Sequence, residues 1–159
     1  MQWLEHRIPP PIVGALLAAG MWGLAQLSAP TGWPLGLRIA LATTRRTDSA
    51  TETLRVAGLL EAVRFIGGGD LVSRHKPDPE VVRLVLEKLG CAPVEALMIG
   101  DTTADVAAAH GAGVACWAVL GGTHDERTLR DAGADLILSG IGELTAALDR
   151  RSPSIPRRR

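Results

Sequence analysis

Leu97-Met98-Ile99-Gly100-Asp101-Thr102-Thr103-Ala104-Asp105 is an apolar run that breaks at a glycine and delivers two carboxylates four residues apart. The pattern is that of a buried strand handing an acidic site to the start of a helix. Spacing of i, i+4 predicts that Asp101 and Asp105 share one helix face. Thr102 or Thr103 is suited to cap that helix, whose N-terminus favours an anion. Such a place suits Mg2+ and a phosphate. Alone, the same residues also describe a capped surface helix, so the material upstream decides between the two.

Two further signals stand before it. Leu37-Arg38-Ile39-Ala40-Leu41-Ala42-Thr43-Thr44 is a short apolar run ending in hydroxyls, as expected of a buried parallel strand presenting Thr43 at its carboxyl end. Lys76-Pro77-Asp78-Pro79-Glu80 opens an amphipathic run from Val81 to Leu89, with proline suited to a first helical turn. Singly, Thr43 reads as a strand-end turn residue and Lys76 as a solvated lysine. In the order hydroxyl, lysine, paired aspartates, they resemble motifs two, three and four of the haloacid dehalogenase superfamily of phosphatases, in particular its phosphoglycolate phosphatase-like branch. The resemblance covers roughly residues 35–148.

The resemblance implies a Mg2+-dependent phosphomonoester hydrolase. In that family one aspartate attacks phosphorus, another two residues later serves as acid/base, and Mg2+ neutralises the phosphoryl oxygens. Carried over position by position, Thr43 would hydrogen-bond the transferring phosphoryl group and Lys76 would offset charge on nucleophile and phosphate. Asp101 would bind Mg2+ directly, and Asp105 would hold a metal-bound water or orient the site. Thr44 stands where the family often has asparagine, and His75 where it often has glycine.

The front of the chain departs from the pattern. The nucleophile belongs to an Asp-x-Asp-x-Thr motif on the first strand, yet no aspartate precedes Asp48 and Glu5 is the only acid before it. Asp48 follows the hydroxyl strand and is expected to cap a helix from Ser49 to Ala57. The helical cap domain of this branch exceeds everything upstream of Thr43. Cap and nucleophile strand are therefore both expected to be missing, leaving a gap at the sheet centre between the strands ending at Thr43 and Gly100. Direct pairing of those two strands is the preferred closure; filling of the gap by the apolar N-terminal segment and a poorly folded chain are the alternatives.

That N-terminal segment has a different character. No charged residue lies between Ile8 and Leu37, and Ile12 to Leu27 is nearly all apolar. A helix over 11–29 would nearly span the ~30 Å hydrocarbon core at ~1.5 Å per residue. Trp3, Trp22 and Trp33 are candidate interface anchors. Arg38, Arg45 and Arg46 would place the phosphatase-like half on the cytoplasmic side. A helix covering a sheet face and a signal peptide are the competing readings. Leu4-Glu5-His6-Arg7-Ile8-Pro9-Pro10-Pro11, with the apolar run through Ala25, also resembles the first membrane helix of bacterial isoprenylcysteine carboxyl methyltransferase-like proteins. No methyl-donor site follows from that resemblance, and a junction, by gene fusion, deletion or a faulty gene model, is the simplest account of it.

Composition suits one α/β unit. Lys+Arg and Asp+Glu are equal at 17 each, so net charge argues for no polyanionic partner. With no tyrosine and one phenylalanine, stacking platforms for single-stranded nucleic acid are lacking. Cys91 and Cys116 lie in apolar surroundings and read as buried reduced thiols. The four histidines show no ligand spacing. Strands are predicted near 37–43, 63–67, 95–100, 114–119 and 135–138, and helices near 49–58, 78–90, 103–110, 125–132 and 141–149. This βα series predicts a parallel, Rossmannoid sheet with helices on both faces. Gly67-Gly68-Gly69 lacks the helix and lysine of a P-loop and reads as a mobile turn; Gly121-Gly122-Thr123 is a similar turn near the strand ends.

The expected organisation is an apolar segment over 1–34, a partial hydrolase core over 35–149 and a basic, disordered tail over 150–159. The functional reading is a phosphatase-like domain acting on a small phosphorylated metabolite, inactive in this chain for want of a nucleophile. A membrane-tethered module that binds phosphate and Mg2+ without catalysis is the contrasting class.

Overall fold

The computed structural model describes residues 38–151 and, upstream, the short segment 13–16. Its sheet has six parallel strands: β1 (Val13–Leu16), β2 (Arg38–Ala42), β3 (Val63–Gly67), β4 (Ala96–Gly100), β5 (Ala115–Val119) and β6 (Leu136–Leu138). They lie in the order β3-β2-β1-β4-β5-β6. Between them run α1 (Thr47–Val56), α2 (Glu80–Leu89), α3 (Thr103–Gly111) and α4 (Glu126–Asp131), with α5 (Leu144–Arg151) closing the series. The strands and helices predicted downstream of Gly36 all appear, with ends shifted by a few residues.

Period-two alternation sorts the strand side chains onto two faces. Ala40, Ala42, Met98 and Cys116 face one layer, where they meet Val81, Val85 and Leu89 of α2 and Val106 and Ala109 of α3. Leu97, Ile99 and Trp117 face the other, against Leu138, Leu144 and Ala147. Leu41 shares that second face with Ala50 and Leu54 of α1. Burying a side chain such as Met98 or Val81 contributes about 1.5–3 kcal/mol each. Burial also pushes the Cys116 thiol up to about 12, so it behaves as a small apolar group. α2 buries Val81, Val82, Val85, Leu86 and Leu89 at helical spacing and stops at Gly90, whose φ of 58° is left-handed.

The centre of the sheet corrects the expectation of direct closure. Val13–Leu16 lies between β2 and β4, with Gly14 beside Ile39 on one side and Leu97 on the other. Two parallel strands facing an empty slot would each leave a ladder unpaired, at about 1–3 kcal/mol per buried donor or acceptor. An apolar segment satisfies both ladders at once. The first strand is thus present, and what the chain lacks is the aspartate motif.

The same finding excludes a continuous helix over 11–29, because residues 13–16 are strand. Continuous apolarity suits a central parallel strand as well as a membrane helix, and periodicity does not separate them. Among the described residues no helix is long and apolar enough to cross a membrane. The remainder of 1–34, including the methyltransferase-like opening, and the tail beyond Arg151 lie outside the described residues.

Two local readings also change. Asp48 does not cap α1, which begins after Arg46 with no capping side chain of its own. Asp70, from the loop after β3, takes that place by accepting hydrogen bonds from Thr47 N (2.6 Å) and Thr47 Oγ1 (2.9 Å). Gly67-Gly68-Gly69 is accordingly no loose turn. A Cβ on Gly68 would stand 2.4 Å from Thr47 Oγ1, and one on Gly69 2.5 Å from the Thr44 carbonyl oxygen. The glycines let the loop after β3 press onto the loop after β2.

A chain shortened to begin at Gly36 should therefore lose the central strand and aggregate, exposing two unpaired parallel edges. Size-exclusion chromatography and thermal unfolding test this. A monomeric, cooperatively unfolding shortened chain would mean that β2 and β4 close on each other.

Candidate active site

The site lies at the carboxyl ends of β2 and β4, on either side of β1, where the strand order reverses direction. In open α/β sheets this is the crevice in which ligands bind. Thr43 follows β2 directly and is buried; its N–H donates to the Gly67 carbonyl at 2.9 Å, and its Oγ1 accepts from Arg45 N at 3.1 Å. The hydroxyl is thereby fixed at the strand end rather than in solvent.

Lys76 arrives on the loop between β3 and α2. Glu80 tethers that loop by accepting from Ser73 N (2.9 Å) and Arg74 N (3.0 Å). The Lys76 ammonium then donates to the Ala42 carbonyl at 3.1 Å and to Asp105 Oδ1 at 2.6 Å. Both side chains are nearly shut off from water, at 7% and 3% exposure. The solvated-lysine reading is excluded.

Asp105 sits at the third position of α3, whose N-cap is Thr102. Thr102 Oγ1 accepts from Asp105 N, while Asp105 Oδ2 accepts from Thr102 N at 3.1 Å and from Asp101 N at 3.2 Å. This is a capping box closed by aspartate. The Thr102 hydroxyl adds a further bond to Oδ2 at 2.8 Å. With Oδ1 taken by Lys76, both Asp105 oxygens are engaged. Gly100 is required here, since a Cβ on it would lie 2.4 Å from Asp105 Cβ. Asp101 precedes the N-cap, so the two carboxylates meet across the strand-to-helix turn and not along a shared helix face.

Asp101 is buried at 9% exposure. Burial pushes its carboxyl above the ordinary range, and the neighbouring Asp105 charge adds to this; the Thr123 backbone N–H and Lys76 work the other way. Two carboxylates against one ammonium leave the cluster short of a cation. Asp101 is the carboxylate of this cluster with coordinating capacity to spare. Among the described residues no three His, Cys, Asp or Glu side chains gather as a metal cage. Mg2+ keeps several waters and accepts one or two carboxylates. The hard oxygens of Asp101 fit such an ion, but as a single protein ligand.

Thr43, Lys76, Asp101 and Asp105 are thus brought to one end of the sheet. The loop after β5, read from the sequence as a turn near the strand ends, also reaches the site, but the contact of its histidine was missed. Gly122 packs on Asp101 so closely that a Cβ there would stand 2.0 Å from Oδ2, and His124 Nδ1 accepts from Thr103 N at 3.1 Å. The glycine pair at a strand's carboxyl end was the available signal; the histidine beside it had none.

Comparison with known proteins gives the family. Residues 34–119 match the haloacid dehalogenase-like hydrolase family. A phosphoglycolate phosphatase of Rhodospirillum rubrum is 36% identical over 113 residues, covering 71% of this chain and 45% of that protein. A pyrophosphatase of Bacillus velezensis is 34% identical over 109 residues, covering 69% of this chain and 50% of its own length. The crystal structure of CbbY from Rhodobacter sphaeroides in complex with phosphate superposes with a TM-score of 0.63 at 31% identity, covering 81% of this chain and 55% of that one. The chain belongs to the haloacid dehalogenase-like hydrolase family, and its kinship is with phosphatases. It spans about half the length of the curated relatives it matches.

Two outcomes follow. Replacing Asp105 by alanine leaves the Lys76 ammonium buried without its counter-ion, which should cost about 3–5 kcal/mol in urea unfolding. Adding Lys76→Met should recover part of that loss, and strict additivity would contradict the pairing. Asp101 has the opposite sign. Its folded value lies above its unfolded one, so its contribution is full at low pH and is lost as pH rises through the folded value. Asp101→Asn should be more stable than the natural chain at about pH 7, with the difference shrinking in the carboxylate range. Equal stability at both ends would refute the burial argument.

Proposed function

We propose that this chain carries the phosphoryl- and cation-binding side of a phosphatase site without the group that attacks phosphorus. The observation that supports it best is the buried cluster of Lys76, Asp105 and Asp101 beside Thr43, in a chain with no aspartate before Asp48. The Thr43 hydroxyl would donate to a phosphoryl oxygen. Lys76, held by the Ala42 carbonyl and Asp105, would set positive charge toward the same oxygens. Asp105 orients Lys76 and the helix start, with its oxygens already engaged. Asp101 would hold Mg2+, which when bound offsets phosphoryl charge. The class of ligand is a small phosphorylated metabolite, as the names of the relatives suggest. The covalent step that the family resemblance implies needs an attacking carboxylate, so hydrolysis is not expected.

The chain supplied with p-nitrophenyl phosphate and Mg2+ should show no turnover above a control carrying Asp101→Ala. Turnover that disappears in the variant would overturn this reading. In calorimetry Mg2+ should bind at best in the millimolar range, an order-of-magnitude expectation for one carboxylate. Micromolar binding would mean that a second carboxylate, Glu5 or Asp48, completes the site.

A further inference from the structure

The segment from Leu120 to Asp125 crosses over Asp101 as a strap. One end is tied by Leu120 N to the Leu138 carbonyl at 2.9 Å, and the other by Asp125, which caps α4 through Thr128 N at 2.8 Å. Between these ties lie Gly121, with φ of 100°, and Gly122, whose backbone rests on the Asp101 carboxylate. The backbone N–H of the next residue, Thr123, lies near enough to that carboxylate to favour its charged form. Gly121, Gly122 and Thr123 are all exposed, and adjacent glycines give the backbone conformational freedom here. Such a strap drifts unless something fixes it close to Thr123. His124 is the residue that does so: half-buried, it aims Nδ1 at the amide of Thr103, one of the first-turn donors of α3 that has no partner within the helix.

We infer that His124 is a positioning residue for Asp101: by accepting from the Thr103 N–H it pins the strap to the start of α3 and keeps Gly122 and the Thr123 amide against the carboxylate. The bond fixes the imidazole as the tautomer protonated at Nε2. It ties the loop after β5 to the helix that follows β4, so the orientation of Asp101 depends on an element distant in sequence. The consequence for a cation rests on the reading of Asp101 given above; the strap itself does not.

NMR spectra of the full chain compare the natural protein with His124→Ala, His124→Asn and Thr103→Pro. Asparagine can still accept through its side-chain oxygen. Proline at the first helical position is tolerated and, along with the threonine side chain, deletes the N–H that His124 receives. In His124→Ala the Thr123 amide should exchange with solvent about tenfold faster, the loss expected for one hydrogen bond. The Asp101 carboxyl signal should move with it. Thr103→Pro should reproduce both changes and His124→Asn should recover most of them. Effects confined to the amide of Thr103, with Thr123 and Asp101 unmoved, would overturn the inference. Should His124→Ala lose its fold, Thr103→Pro decides alone. Mg2+ titrated into the same samples should bind about threefold to tenfold more weakly in His124→Ala. No response to Mg2+ in any sample, together with a displaced Thr123 amide, would sink the cation reading of Asp101 and leave the strap standing.

Discussion

Lys76 and Asp105 meet at 2.6 Å where water scarcely reaches, and the site is organised around that contact. Taking two ions out of water costs several kcal/mol per ion, and attraction alone does not offset this unless the remaining donors and acceptors are filled. Here they are. Lys76 has the Ala42 carbonyl as a second acceptor, and Asp105 has the amides of Asp101 and Thr102 and the Thr102 hydroxyl. Among the described residues no buried side-chain nitrogen or oxygen lacks a partner. The pair joins the loop after β3 to the helix after β4, across the two strands that flank β1. Geometry at Thr43 and Asp101 follows from that bridge, since each is one residue from a group the bridge holds.

Charge arithmetic explains why Asp101 differs from its neighbour. Asp105 receives the lysine and the amides, so its negative charge is compensated at short range. Asp101 receives backbone donors but no direct lysine contact and sits beside Asp105, and burial together with that repulsion raises it. A position that is unfavourable for a bare carboxylate is favourable for one that shares its charge with a cation, and functional sites are where such positions concentrate.

Elements whose residues carry their own punctuation were legible in the sequence. β4 ends at Gly100 and α3 starts after its N-cap Thr102, so Asp101 and Asp105 were found together, although their relation was misread as a shared helix face. α2 announced itself through Pro79 and the spacing of Val81, Val85 and Leu89. β1 was not legible, because Val13–Leu16 lies inside a longer apolar run that any buried environment would accept. Nor were the contacts that tie loops together. Asp70 on Thr47 and His124 on Thr103 join residues 23 and 21 positions apart, and each partner looks ordinary beside its sequence neighbours. Long-range register decides such contacts, and local pattern carries no trace of it.

Part of the face of the sheet under α2 and α3 is lined with alanines. Ala40 and Ala42 lie on the strand side, Ala108 and Ala109 on the helix side, all without exposure, and a Cβ on Gly67 would already be 3.0 Å from Val85. Helices seated on such thin padding have no clearance to take up. A single added methyl group at Ala108 would act as a shim, tilting α3 away from the sheet and carrying Asp105 out of reach of Lys76. The tolerance of this pocket to sequence drift is therefore set beneath it, by alanines that touch no ligand.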